Sequence, residues 1–155
     1  MISIRKNVFE TNSSSTHSLC ITSNNILDEK VDHVNFTLGE FGWEHEKLES
    51  VYEKASYLYT GIVYNDLAAK LLPKLKSILD SNDIEYDFES EESKDCYIDH
   101  AGELEDFLED VCNDEGKLMR FLFSSESFIL TGNDNDNLDV DINVDYDHEE
   151  YYKGN

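Results

Sequence analysis

At 155 residues the chain is long enough for one domain with a real core, since a domain of about 150 residues buries roughly 70% of the surface its unfolded chain exposes. Hydrophobic residues make up 39% and aromatic residues 12%, which excludes wholesale disorder although 30% of residues are charged. The formal net charge of −23 is lopsided: residues 1–82 hold 11 acids and 8 bases, residues 83–155 hold 24 acids and 4 bases, and the second half alone carries −20. Such a field repels phosphate and anionic lipid and attracts cations or basic protein surfaces, so ordinary binding to nucleic-acid backbones is excluded.

Residues 2–9 place apolar side chains at 2, 4 and 8 and read as a strand. A polar loop over 10–16 follows, then a second strand near 18–22. Residues 31–38 alternate through Val34, Phe36 and Leu38 until Gly39 and Gly42 end the run. From Glu44 the period becomes helical, with Leu48, Val51, Tyr52, Ala55, Leu58, Tyr59 and Ile62 on one face. A second helical stripe runs through Leu67, Leu71, Leu75 and Leu79, with Asn65 as its expected N-cap and a kink or restart expected at Pro73.

Alternation returns at Ile84, Tyr86 and Phe88, opposed by Glu85, Asp87 and Glu89, and a short strand near 96–99 is the expected partner. A helix opening at Gly102 buries Leu104, Phe107, Leu108 and Val111 and stops near Asn113. A short helix over 117–123, a strand over 127–131, a turn over 132–137 and a strand over 138–146 complete the chain. The reading is one α+β domain over 1–155, a mostly antiparallel sheet packed with two to four helices. Neither 18 consecutive apolar residues nor an apolar run after Arg5-Lys6 occurs, so a cytoplasmic protein is expected. Cys20, Cys96 and Cys112 fit neither a disulfide framework nor a zinc site and read as reduced thiols.

The most pointed feature is the run 138–147. In a strand, same-face residues lie about 6.6–6.8 Å apart, so Leu138, Val140, Ile142, Val144 and Tyr146 face inward while Asp139, Asp141, Asn143, Asp145 and Asp147 form an outward line. One such row has about half the charge density of a DNA strand, which carries a phosphate about every 3.4 Å; Glu85, Asp87 and Glu89 supply a second, shorter row. The plain alternative is a solvated face that keeps an edge strand from aggregating. The same acids match the spacing of a calcium-binding EF-hand loop, but Val144 stands where its sharp turn needs glycine. No metal site or cofactor is expected.

The second pointed feature is the polar run 10–18. Glu10, Asn12, Ser15, Thr16 and His17 together could hydrogen-bond a phosphate, a sugar or a peptide, and the bland reading is a structural turn. Adjacent strand positions rarely give a nucleophile and its base the required geometry, so no catalytic residues are assigned. His33, His45, His100 and His148 share no metal-ligand spacing, and no glycine-rich phosphate loop occurs.

The stretch Val8-Phe9-Glu10-Thr11-Asn12-Ser13-Ser14-Ser15-Thr16-His17-Ser18, with Gly39-Glu40-Phe41-Gly42-Trp43, Lys54-Ala55-Ser56-Tyr57-Leu58-Tyr59 and Thr131-Gly132-Asn133-Asp134-Asn135, resembles a family of uncharacterised proteins from Gram-positive bacteria and their phages. The resemblance implies a bacterial or phage cytoplasmic setting, in which small acidic proteins act as DNA mimics and as anti-CRISPR or anti-restriction inhibitors. It transfers no activity. The expectation is therefore a binding module rather than an enzyme: a phage or prophage inhibitor whose partner-binding residues Asp139, Asp141, Asp145, Asp147, Glu85, Asp87 and Glu89 occupy the basic nucleic-acid site of a host protein. The alternative is a small-molecule-binding protein or enzyme using 10–18 with help from 131–135.

Overall fold

The computed structural model describes residues 15–41, 46–91, 96–98, 104–133 and 148–154. Among them run β1 (Ser15–Thr22), β2 (His33–Phe36), β3 (Glu40–Phe41), β4 (Glu46–Leu48), helices α1 (Val51–Tyr64) and α2 (Ala68–Ser81), β5 (Glu85–Phe88), β6 (Tyr97–Ile98), α3 (Glu105–Asn113), α4 (Glu115–Phe123), β7 (Phe128–Asn133) and β8 (His148–Gly154). The expected strands 2–9 and 138–146 lie outside the described residues, apart from which the α+β class holds.

The main sheet has the order β4-β7-β1-β8 and is antiparallel throughout. Leu19, Ile21, Leu48 and Ile129 send one face into the common core. The alternate positions Ser18, Cys20, Thr22 and Phe128 are buried as well, so both faces of β1 are covered. β8 was not foreseen, because His148-Glu149-Glu150-Tyr151-Tyr152-Lys153 shows no clean alternation.

Helix α1 starts at Val51, later than the periodicity suggests. Ser50 and Glu53 form a capping box, the Ser50 hydroxyl accepting from the Glu53 N–H (3.1 Å) and the Glu53 carboxylate from the Ser50 N–H (3.2 Å). Leu48 belongs instead to β4, opposite Ile129. From Lys54 to Ile62 every residue of α1 is buried, so it is the central helix and its polar side chains have structural work.

Asn65 is the C-cap of α1 and not the N-cap of α2; its side chain donates back to the Gly61 carbonyl (3.0 Å). Both α1 and α2 end in the same Schellman turn, Asn65-Asp66-Leu67 and Asn82-Asp83-Ile84. In each the aspartate takes positive φ (60° and 59°). The next residue donates five back, Leu67 to Ile62 (2.8 Å) and Ile84 to Leu79 (3.0 Å). Pro73 does not interrupt α2. The carbonyl it leaves without a helical donor is that of Ala69, on the solvent side of the helix, where water can serve it.

The α1–α2 pair is the crossover that makes β2 and β5 parallel, with Val34 opposite Tyr86 and Asn35 opposite Asp87. β6 pairs with β3, also in parallel, and not with β5 as expected. The two ladders are separate two-stranded sheets, the pairing being interrupted at 37–39 between β2 and β3 and beyond Phe88 on the other strand. Side chains of α1 satisfy the interruption: Ser56 donates to the Thr37 carbonyl (2.9 Å), Thr60 accepts from the Gly39 N–H (3.0 Å) and Tyr59 donates to the Glu89 carbonyl (2.7 Å). Phe36 and Phe88 stack across the β2–β5 ladder at 4.6 Å, with Tyr59 edge-on to Phe88 at 5.0 Å.

Candidate partner-binding face

On β5 the alternation holds: Ile84 is buried, Tyr86 and Phe88 are half-buried, and Glu85 and Asp87 point outward with side chains 85% and 74% exposed. Parallel register sets His33 and Asn35 of β2 beside them. The His33 Nε2 donates to Asp87 Oδ2 (2.9 Å) and to Asn35 Oδ1 (3.1 Å), while Nδ1 lies 3.7 Å from Glu85 Oε1. Burial works to lower the pKa of this imidazole; the hydrogen bonds to Asn35 and Asp87, the Asp87 charge and the Glu85 contact outweigh it and raise it.

Glu89 does not share that face. Its carboxylate is half-buried and accepts from the Leu38 N–H (2.8 Å), and its carbonyl takes the Tyr59 hydroxyl, so it closes the break between the two ladders. The sequence row of three carboxylates is a row of two. Asp139, Asp141, Asp145 and Asp147 lie outside the described residues, as do Glu10 and Asn12.

Ser15, Thr16 and His17 belong to a strand and not to a loop. They open β1, which is bonded on both sides, Ser15 opposite Asn133, Thr16 opposite Gly132 and His17 opposite both Thr131 and Gly154. The expected turn at 132 is likewise strand through Asn133. The ladder is double-sided from His17 onward and there occupies the backbone donors and acceptors that a wrapping loop would offer a ligand, while Ser15 and Thr16 are paired with β7. The same register nevertheless brings the two polar runs, 15–18 and 131–133, side by side.

Helix α3 carries a further row of acids. Phe107, Leu108, Val111 and Cys112 turn inward, leaving Glu105, Asp106, Glu109 and Asp110 on the polar side. This stripe is partly neutralised: Lys70 of α2 meets Glu109 at 2.7 Å and Lys117 of α4 meets Asp110 at 3.7 Å. The amphipathic pattern contained the acids, but not the lysines that clip them.

A cleft of about 550 Å³ opens between β3, β4 and the first turn of α1, lined by Thr37, Phe41, Leu48, Tyr52 and Ser56 with Glu40 and Glu46 among its acids. No motif announced it. Among the described residues no three His, Cys, Asp or Glu side chains are placed to hold a metal ion, and no helix is long and apolar enough to cross a membrane. No family model, curated protein or solved structure matches the chain.

Proposed function

We propose that this protein is an acidic interaction protein, encoded by a phage or prophage and acting in the host cytoplasm, whose carboxylate face occupies the basic nucleic-acid-binding site of a host defence protein in the manner of a DNA mimic or anti-CRISPR inhibitor. The observation that carries this reading is the placement of Glu85 and Asp87: exposed, in line, and fixed on a ladder whose other face is the stacked Phe36–Phe88 pair. Carboxylates already held on rigid backbone meet Arg and Lys with little ordering cost, and a half-chain charge of −20 steers such partners in. The 138–147 run, whose apolar/polar alternation is expected to turn its aspartates outward, is the second row this reading calls for.

One observation favours a second reading, a small-molecule-binding protein or enzyme: the pairing of 15–18 with 131–133 gathers hydroxyl, amide and imidazole residues at one end of the main sheet. The two readings part in a co-purification from host lysate at low and then high salt, read by mass spectrometry. Electrostatic capture delivers a basic nucleic-acid-binding protein that leaves as salt rises. A small molecule retained at both salts, with no basic protein captured at either, overturns the mimic reading.

A further inference from the structure

Glu85 and Asp87 are held around a residue that changes charge near neutral pH, and this bears on the regulation of the proposed face. Both ring nitrogens of His33 are turned toward carboxylates, Nε2 toward Asp87 (2.9 Å) and Nδ1 toward Glu85 (3.7 Å). A neutral imidazole can donate through only one nitrogen, so the arrangement suits the doubly protonated ring. The charged groups facing it among the described residues are those two acids of β5. Asn35 from its own strand adds a neutral acceptor, and α1 packs on the opposite face of the strand, against Val34 and Phe36. In its protonated form His33 cancels one of the two outward charges of the row; on losing the proton it hands both back to solvent and to any cationic partner.

We infer that His33 is a built-in counter-ion of the carboxylate face, so that capture of a basic partner weakens when the imidazole gains a proton and strengthens when it loses one. The inference rests on the proposed partner-binding role of Glu85 and Asp87, and two measurements separate the failure of one from that of the other. In the first, NMR follows the His33 ring through a pH titration. The Asp87→Asn and Glu85→Gln variants each bring its midpoint down toward that of an ordinary histidine; a midpoint unmoved by both overturns the inference whatever the protein binds.

The second measures the affinity for an immobilised oligo-arginine peptide at about pH 5.5 and about pH 8, at constant ionic strength, spanning the ordinary histidine range. Wild type is expected to gain about threefold more in affinity across this interval than His33→Gln, the scale of one exposed charge. What remains in His33→Gln belongs to the other histidines and carboxylates. His33→Arg, positive at both pH values, is expected to bind more weakly than His33→Gln at both. Equal pH dependence in wild type and His33→Gln, with both binding the peptide, overturns the inference and leaves the proposed function standing. Absence of binding at both pH values overturns the proposed function and this regulation with it.

Discussion

The Lys54 ammonium, fully buried at the first turn of α1, donates at 2.8 Å to the carbonyl of Ser124, the residue that caps the C-terminus of α4, and at 2.9 Å to the Ser127 carbonyl. It ties the central helix to the turn that feeds β7, and its charge faces the negative end of the α4 dipole. Burial pulls its pKa down to about 8 from 10.5, against the raising influence of Glu29, Asp28, Glu49 and Glu53. Because the folded-state value lies below the unfolded one, the unfolded chain holds a proton that the folded chain has released between about pH 8 and 10.5. Stability therefore climbs with pH in that window. Cys20 and Cys112 act oppositely: burial raises them to about 11 and about 12, so the stability they lend is present below their ordinary value of 9.0 and is lost above it. A stability maximum near pH 9 is expected in urea unfolding under reducing conditions. Lys54→Met removes the rise between about pH 8 and 9. At pH 7 it lowers stability by about 1–3 kcal/mol, as two buried carbonyls lose their donor.

The paired Asn-Asp turns offer a gain. Asp66 and Asp83 are exposed and hold positive φ, where a Cβ is disfavoured and glycine is at ease. Asp66→Gly and Asp83→Gly should each raise stability by about 0.5–1 kcal/mol, less the entropy glycine adds to the unfolded chain. Unfolding midpoints of the single and double variants check this, and a loss in both would mean that the aspartates do more than turn the chain.

Glu89 and its two neighbours on the sequence row should behave differently. Removing the Glu89 carboxylate leaves the Leu38 N–H without its acceptor, so Glu89→Ala should cost about 1–2 kcal/mol. Glu85→Gln and Asp87→Asn, at exposed positions, should stay within about 0.5 kcal/mol of wild type. Thermal unfolding of the three variants reads this directly, and equal losses in all three would place Glu89 back on the open face.

Charge and fold should separate in the 138–147 run. Replacing Asp139, Asp141, Asp145 and Asp147 together by asparagine should leave the melting temperature unchanged or higher, through relief of self-repulsion, while abolishing capture of the basic partner. Glu10→Ala with His17→Ala should leave capture intact. The reverse result, a Glu10/His17 double variant that fails to capture and a four-asparagine variant that succeeds, would make the acidic face a solubility device and favour the ligand-site reading.

Which elements were readable from sequence follows from the range of the interactions that set them. The stripe Phe107, Leu108 and Val111, the apolar heptad-like run of α2 and the alternation of Ile84, Tyr86 and Phe88 are local periodicities, and each appears where expected. Boundaries failed where a cap or a partner outranked the period. Ser50 and Glu53 fixed the start of α1 inside a longer apolar pattern, and Leu48 was claimed by Ile129, a residue far along the chain. Asn65 misled because an Asn-Asp pair signals a helix start and a Schellman stop equally well, and only the position of Leu67 over Ile62 distinguishes them.

The chain by itself determined the α+β class, the helical faces and the separation of a near-neutral half from a strongly acidic one, since composition and periodicity are properties of neighbours in sequence. Tertiary structure alone decided that β2 and β5 run parallel, that Ser15–Thr22 is a central strand, that Glu89 turns inward while Glu85 and Asp87 turn out, and that Lys54 is buried. The physical reason is common to all four. Each depends on which distant backbone group is left needing a partner: the Leu38 N–H claims Glu89, the carbonyls of Ser124 and Ser127 claim Lys54, and no local pattern records such a debt.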